Sequence, residues 1–428
     1  MFFPRCSSFL TALLCVCSLM SPANELDALV ASVKATGMGA VGVAYPQDAM
    51  AGAYNPAGIT DIGDRFDVAV TWIHDEGDTT IKGNLNPFIP NVNGTFPAYH
   101  RKDFFCPEFG INKHLCWGDW ELAVGLVVFN RNASKTTYRT NFPLLGTSHL
   151  GLEYIHETFS PLLAVKFCNF SVGASFNYMI HRLKVEGLEF LDHPPLGLPS
   201  FSRYPGFVTN KGYDYAHGVN FTVGFKWDIM PCLSVGAAYQ PTTTMGRFHK
   251  YRGFLAQKGL LKIPPIVSAG ITYRFIPCAS ASFDVQYLGW NRVHSLHTPL
   301  LPNLFTHKLG DEEGAGFGWR SQWIYRFGVD WDINCAWTVR AGCRFAKSTI
   351  EPSQTAVNIL THDPAGNFVM GGFSWRPNGL IEISTYYAHG FERLIKGKNA
   401  IPPLPFGGGD VDIKQTKEVV GLSLGVNY

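Results

Sequence analysis

The chain has 428 residues, 46% of them hydrophobic and only 16% charged, and a formal net charge of +2. No Pro/Ser-rich linker or run of charge divides it, so one large domain is expected. The scattered basic residues make no patch for a phosphate backbone, which excludes nucleic acid as a partner.

The N-terminus carries Arg5, an apolar stretch from Phe9 to Met20, then Ser21-Pro22-Ala23. This order reads as a secretory signal covering residues 1–23, because the apolar run falls short of the ~18–20 residues of a spanning helix. A stretch compatible with helix follows at 25–35, then small residues through Ile59. Residues 24–62 are therefore expected to form a plug or hatch, and 63–428 a barrel.

Beyond residue 63, apolar and polar residues alternate. Phe170, Val172, Ala174, Phe176 and Tyr178 share one face of an extended segment, and Ser171, Gly173, Ser175 and Asn177 share the other. Phe221–Trp227 and Leu233–Gln240 repeat the pattern. In Trp323–Trp331 and Trp337–Phe345 the polar face carries full charges, among them Arg326, Arg340 and Arg344. The last such segment ends on Tyr428. Roughly fourteen such runs, each near the ~9–11 residues of a transmembrane strand, give an even count suited to closure.

Tight connections around 116–118, 168–169, 230–232, 277–278, 334–336 and 377–379 alternate with long ones at about 75–104, 130–151, 186–211, 241–262, 291–320, 347–366 and 390–416. Trp117, Trp120, Trp227, Trp331, Trp337 and Trp375 sit beside the tight turns, where an interfacial girdle belongs. The fold class expected is all-β: a roughly 14-stranded antiparallel transmembrane β-barrel of the bacterial outer membrane, with an N-terminal hatch in its lumen. A secreted sandwich would need partner sheets to cover so many aromatic stripes.

Three sets of residues are candidates for function. The third long loop holds Leu188, Phe190, Leu191, Leu196, Phe201 and Phe207, and the fourth holds Met245, Phe248, Phe254 and Leu255. Outer loops are polar unless they bind something apolar or pack on one another as a lid, and both readings stay open. The lumen-facing cations Lys226, Arg326, Arg340 and Arg344 are placed either to hold a ligand carboxylate or to pair with acids such as Asp284, Asp330 and Glu382. Gly125 in the third barrel strand permits a kink.

Thr36-Gly37-Met38-Gly39, Gly42-Val43-Ala44-Tyr45, Asp48-Ala49 and Tyr54-Asn55-Pro56-Ala57-Gly58 resemble the N-terminal hatch of the FadL/TodX family, outer-membrane transporters of long-chain fatty acids and aromatic hydrocarbons. The resemblance implies that Asn55, Pro56 and Ala57 belong to a hatch. It implies also a greasy groove between the third and fourth outer loops, a lumen pocket, and lateral release beside a kinked third strand. The function expected is passive movement of a hydrophobic ligand such as a long-chain fatty acid into outer-membrane lipid. The alternatives are a general diffusion porin and a structural or adhesive envelope protein.

No enzyme, cofactor or metal site is expected. The string Gly37-Met38-Gly39-Ala40-Val41-Gly42 follows no strand of a βαβ unit, and Asp311-Glu312-Glu313 reads as a solvated loop tip. Of the ten cysteines, Cys6, Cys15 and Cys17 leave with the signal. Cys116, Cys168, Cys232, Cys278 and Cys335 fall in or beside tight turns, with Cys106 and Cys343 elsewhere, which points to disulfide partners in the envelope.

Overall fold

The computed structural model describes residues 31–428 except 87–88, 90–91, 118–119, 143 and 363–365, and not the side chains at 116–117, 132–133, 140–141 and 196. The expected signal peptide, 1–23, lies outside the described residues.

Fifteen strands form one sheet: β1 (Arg65–Lys82), β2 (Gly94–Pro97), β3 (Asp103–Trp117), β4 (Trp120–Asn141), β5 (His149–Phe167), β6 (Phe170–Glu186), β7 (Asp214–Met230), β8 (Leu233–Gln240), β9 (Ile266–Ile276), β10 (Ala279–Leu288), β11 (Gln322–Asp332), β12 (Trp337–Ala346), β13 (Phe368–Trp375), β14 (Ile381–Gly397) and β15 (Asp410–Asn427). All pair antiparallel, and β15 returns to β1 in register, Leu424 opposite Val68. The short β2 pairs only with the far end of β1, so fourteen strands make the closed ring. Pairing of the last strand with the first closes the sheet on itself, as a sheet in hydrocarbon requires.

Alternation sorts the side chains inside out. Phe176, Phe221, Trp323, Phe327 and Leu422 project from the wall and are exposed, while Asn177, Thr222, Arg326, Ser374 and Ser423 on the opposite face are buried. Water would penalise such a surface and lipid does not. Trp120, Trp227, Trp331, Trp337 and Trp375 stand exposed beside the tight turns, as a girdle at one interface requires.

The wall is uneven. Strands β8 to β13 have 8 to 11 residues, close to a bare membrane crossing, whereas β1, β4 to β7, β14 and β15 have 17 to 22. Two expected loops, 130–151 and 390–416, are thus mostly strand, and the first, 75–104, contains the end of β1 and the β1–β2 hairpin. The extensions read as loops because, above the membrane, the outer face meets water and the one-sided greasiness disappears. Their inner faces carry Tyr138, Leu152, Val185, Val411 and Ile413, which join Phe248, Phe254, Leu296, Trp319 and Leu360 in a single apolar cap over the lumen.

Inside the ring lies the N-terminal segment from Ala31 to Ile62. Of the helix expected at 25–35, residues 25–30 lie outside the described residues; Val33–Gly37 is α-helical, with Ser32 accepting from the Ala35 N–H as N-cap.

Candidate ligand pathway

Glycine is what lets the N-terminal segment touch the wall. On β3, β6, β7, β8, β9, β11, β12 and β13, lumen-facing Gly110, Gly173, Gly224, Gly236, Gly270, Gly328, Gly342 and Gly372 each abut it. A Cβ at Gly173 would stand 2.5 Å from the Ala57 nitrogen, and one at Gly236 would stand 2.6 Å from the Val43 carbonyl oxygen. Backbone meets backbone there, and no other residue fits without displacement.

Polar clamps fix the segment. Asn55 donates through Nδ2 to the carbonyls of Val43 (2.8 Å) and Phe225 (2.9 Å), and its Oδ1 accepts from the Ala57 N–H. That last bond caps the short 3₁₀ turn Pro56–Asp61, with Pro56 at its first position. Asp284 accepts from the Gly42 and Val43 N–H groups at 2.7 and 3.0 Å. Glu382 takes Lys34 and Arg65, both at 2.8 Å, and is itself almost fully buried.

Above the segment a narrow lumen pocket of ≈ 90 Å³ opens. One wall is the apolar cap, including Leu152, Leu183, Phe254, Phe317 and Trp319; across from it β7 to β11 present Thr222, Gln240, Ser268, Gln286 and Arg326. A second cavity of ≈ 50 Å³ sits higher among the loops. It shares Phe254, Leu255 and Phe317 with the first, and Ser295 supplies the one hydroxyl among the described lining residues. A third, of ≈ 410 Å³, shares Leu144 and Phe406 with the second. It is rimmed by Pro194, Pro195, Pro403 and Pro405 and by Leu85 and Leu404, which are 83% and 82% exposed. Among the described residues no charged side chain lines the upper two cavities. Two apolar spaces and a lumen pocket with one apolar and one polar wall therefore run from outside inward, separated by shared side chains.

The loop candidates divide among these places. Phe190 and Phe201 line the mouth, Leu188 and Leu191 the middle chamber, and Phe254 and Leu255 the partition to the lumen pocket. Phe248 is wholly buried in the cap, Met245 packs with Met179 and Ile263, and Phe207 lies under the Arg252 guanidinium at 3.4 Å. The Leu196 side chain lies outside the described residues. The mouth also draws on the first and seventh loops, through Leu85 and 403–407, which sequence reasoning passed over.

Of the four lumen cations only Arg326 lines the pocket, and it donates to Gln286 Oε1 at 2.9 Å. Lys226 lies near the turns between Asp61 (2.7 Å) and Asp228. Arg340 donates to Gln47 and Ser374, and Arg344 sits over the Phe368 ring at 5.6 Å. Gly125 keeps regular pairing with Asn112 and Leu162; the register shifts of its strand come later, at Asn130/Asn132 and Thr137/Asn141. Between β3 and β4 the ladder ends at Phe109 opposite Val128, although both strands run on, and pairing resumes only where Tyr99 bridges Thr137. Cys168, Cys232, Cys278 and Cys335 are free thiols in four tight turns.

Outside the membrane-spanning strands, His362 is buried in the sixth loop beneath Tyr99, whose hydroxyl donates to the His362 carbonyl at 2.9 Å. Burial pushes this imidazole down to about 4.

A family model described as outer membrane protein transport protein (OMPP1/FadL/TodX) matches residues 14–428. Among solved structures, a Pseudomonas aeruginosa FadL homologue is similar at a TM-score of 0.67 and 15% identity, over 92% of this chain and 98% of its own. The P. putida toluene transporter TodX is similar at 0.64 and 13% identity, over 92% and 97%. The Ralstonia pickettii toluene transporter TbuX is similar at 0.60 and 16% identity, over 92% and 97%. No curated protein sequence matches the chain.

Proposed function

Because this chain belongs to the outer membrane protein transport protein (OMPP1/FadL/TodX) family, we propose that it carries long-chain fatty acids or similarly apolar small molecules across the outer membrane. The observation that carries the reading is the succession of an apolar mouth, an apolar chamber and a lumen pocket with one apolar wall, joined by shared side chains. A ligand leaves water at the mouth, passes the Phe254–Leu255 partition and rests above the N-terminal segment. Each step buries apolar surface, worth about 25 cal/mol per Å², so no energy source is required. The segment acts as a hatch whose displacement opens the way down. The parted edge between β3 and β4 supports lateral release there, since backbone groups already lack each other as ladder partners.

A general diffusion porin is disfavoured by the filled lumen. The second reading, a structural envelope protein, is favoured by the free thiols of Cys168, Cys232, Cys278 and Cys335 at one rim. Disulfides to other envelope proteins are compatible with transport, and non-reducing electrophoresis of intact cells tests them: only monomer excludes such links.

The transport reading is tested by native mass spectrometry of the purified barrel with extraction of what co-purifies. A stoichiometric fatty acid, lost when Phe254 and Leu255 are both made Asn, is the expected result. An empty barrel that takes up no added fatty acid sinks it.

A further inference from the structure

Gln240 is the last residue of β8 on the lumen face, only 2% exposed, and lines the lumen pocket. Among the described residues neither its amide oxygen nor its amide nitrogen has a hydrogen-bond partner. The same holds for the indole N–H of Trp290, which is 4% exposed and lines the same pocket. Gln240 pairs with Ile266 and Ile266 with Leu288, so Gln240 and Leu288 stand about two strand spacings, roughly 10 Å, apart, and Trp290 follows two residues beyond Leu288.

A buried amide without partners costs free energy that water or a ligand must recover, and two such residues facing one apolar cavity are a built seat for a polar group. Of the cations that line this pocket, Arg326 donates to Gln286 and Arg131 stacks over the Phe129 ring at 5.2 Å, while Lys262 is partly exposed. What Gln240 and Trp290 leave unmet is uncharged: three atoms, the amide nitrogen, the indole nitrogen and the amide oxygen. A hydrocarbon meets none of them, and a carboxylate accepts from the donors but offers the Gln240 oxygen nothing. A hydroxyl donates once, to the Gln240 oxygen, and accepts twice, from the Gln240 amide nitrogen and the indole N–H, which gives each of the three atoms one bond.

We propose that Gln240 and Trp290 form a seat for the hydroxyl of an otherwise apolar ligand, so that the pocket favours aliphatic or aromatic alcohols over the matching hydrocarbon or acid. This rests on the reading of the lumen pocket as the ligand's resting place. The specificity belongs to the difference between ligands, because a site with hydrogen-bonding groups discriminates by leaving them unpaired.

The test compares toluene, benzyl alcohol and benzoate on the detergent-purified full chain by ligand-observed NMR titration. It uses the parent, Gln240→Leu and the milder Trp290→Phe, each first shown to keep the heat-modifiable gel shift of a folded barrel. Expected is about a tenfold loss of benzyl alcohol affinity in Gln240→Leu and several-fold in Trp290→Phe, with toluene unchanged or tighter. If both ligands weaken by the same factor, or if benzoate responds most, the hydroxyl seat is overturned while transport of apolar molecules stands. If the parent binds none of the three, the resting-place reading falls and takes the seat with it.

Discussion

A single methyl group placed at Gly173 should loosen the N-terminal segment without touching the barrel. The Cβ of Gly173→Ala would stand 2.5 Å from both the Ala57 nitrogen and the Pro56 carbonyl carbon, and 2.7 Å from the Pro56 oxygen, where ordinary contact begins at 3.4 Å. All three are backbone atoms, so no flexible tip can yield and the segment must retreat by about 0.9 Å. Overpacking of this kind costs about 1–3 kcal/mol. At tenfold per 1.4 kcal/mol, the unseated fraction rises between about 5-fold and 150-fold. The control is Gly371→Ala, whose Cβ points to the lipid side of β13 and meets only the Arg340 carbonyl, at 3.7 Å. Single-channel recording in planar bilayers reads the difference: frequent openings for Gly173→Ala, and parental silence for Gly371→Ala. If both variants are equally silent, the glycine contacts do not hold the segment and the account of the belt is wrong.

Other consequences follow from particular residues. Glu382 pairs with Lys34 and Arg65 and also reaches Arg376 at 3.2 Å; Glu382→Ala leaves the buried Lys34 without its carboxylate, while Arg65 keeps Asp67. A cost of about 3–5 kcal/mol is expected, seen as a lower midpoint of heat-modifiability on gels. Leu85→Asp with Leu404→Asp should cut ligand uptake several-fold while leaving that midpoint in place, because both side chains are almost fully exposed at the mouth. Phe327→Arg, on the lipid face of β11, should cost about 2–4 kcal/mol and be read as reduced assembly into liposomes. His362 is neutral in place, with its folded value about 4 below the ordinary 6.5, so the undocked loop binds protons first as pH falls. The docking of 355–362 is therefore fully stable above pH 6.5 and weakens toward pH 4, by about 2 kcal/mol at pH 5. Hydrogen exchange of that loop, corrected for intrinsic rates, should be some 30-fold less protected at pH 5 than at pH 7.5; equal protection refutes the assignment.

The sequence by itself determined the wall of this protein. A strand in lipid must satisfy its backbone by closure and grease one face, and both demands are local: period-two alternation in Phe170–Tyr178 or Trp323–Trp331 states them residue by residue. The even strand count and the tryptophans by the tight turns followed from the same rule. The loop residues Leu188, Leu191, Phe254 and Leu255 were also legible as misplaced greasy groups, because outer loops have no local reason to be apolar. What the sequence left open is everything that depends on which residues of distant strands share a level in the lumen. The glycines of eight strands looked like unrelated gaps until closure set them around Met38, Val43 and Pro56. Arg340 and Lys226 looked equally free to hold a ligand, and only the fold gave them Gln47 and Asp61. The mouth at Leu85 and Leu404 joins segments some 320 positions apart. The pairing of β15 with β1 brings those segments together, and no periodicity within either segment records that neighbour.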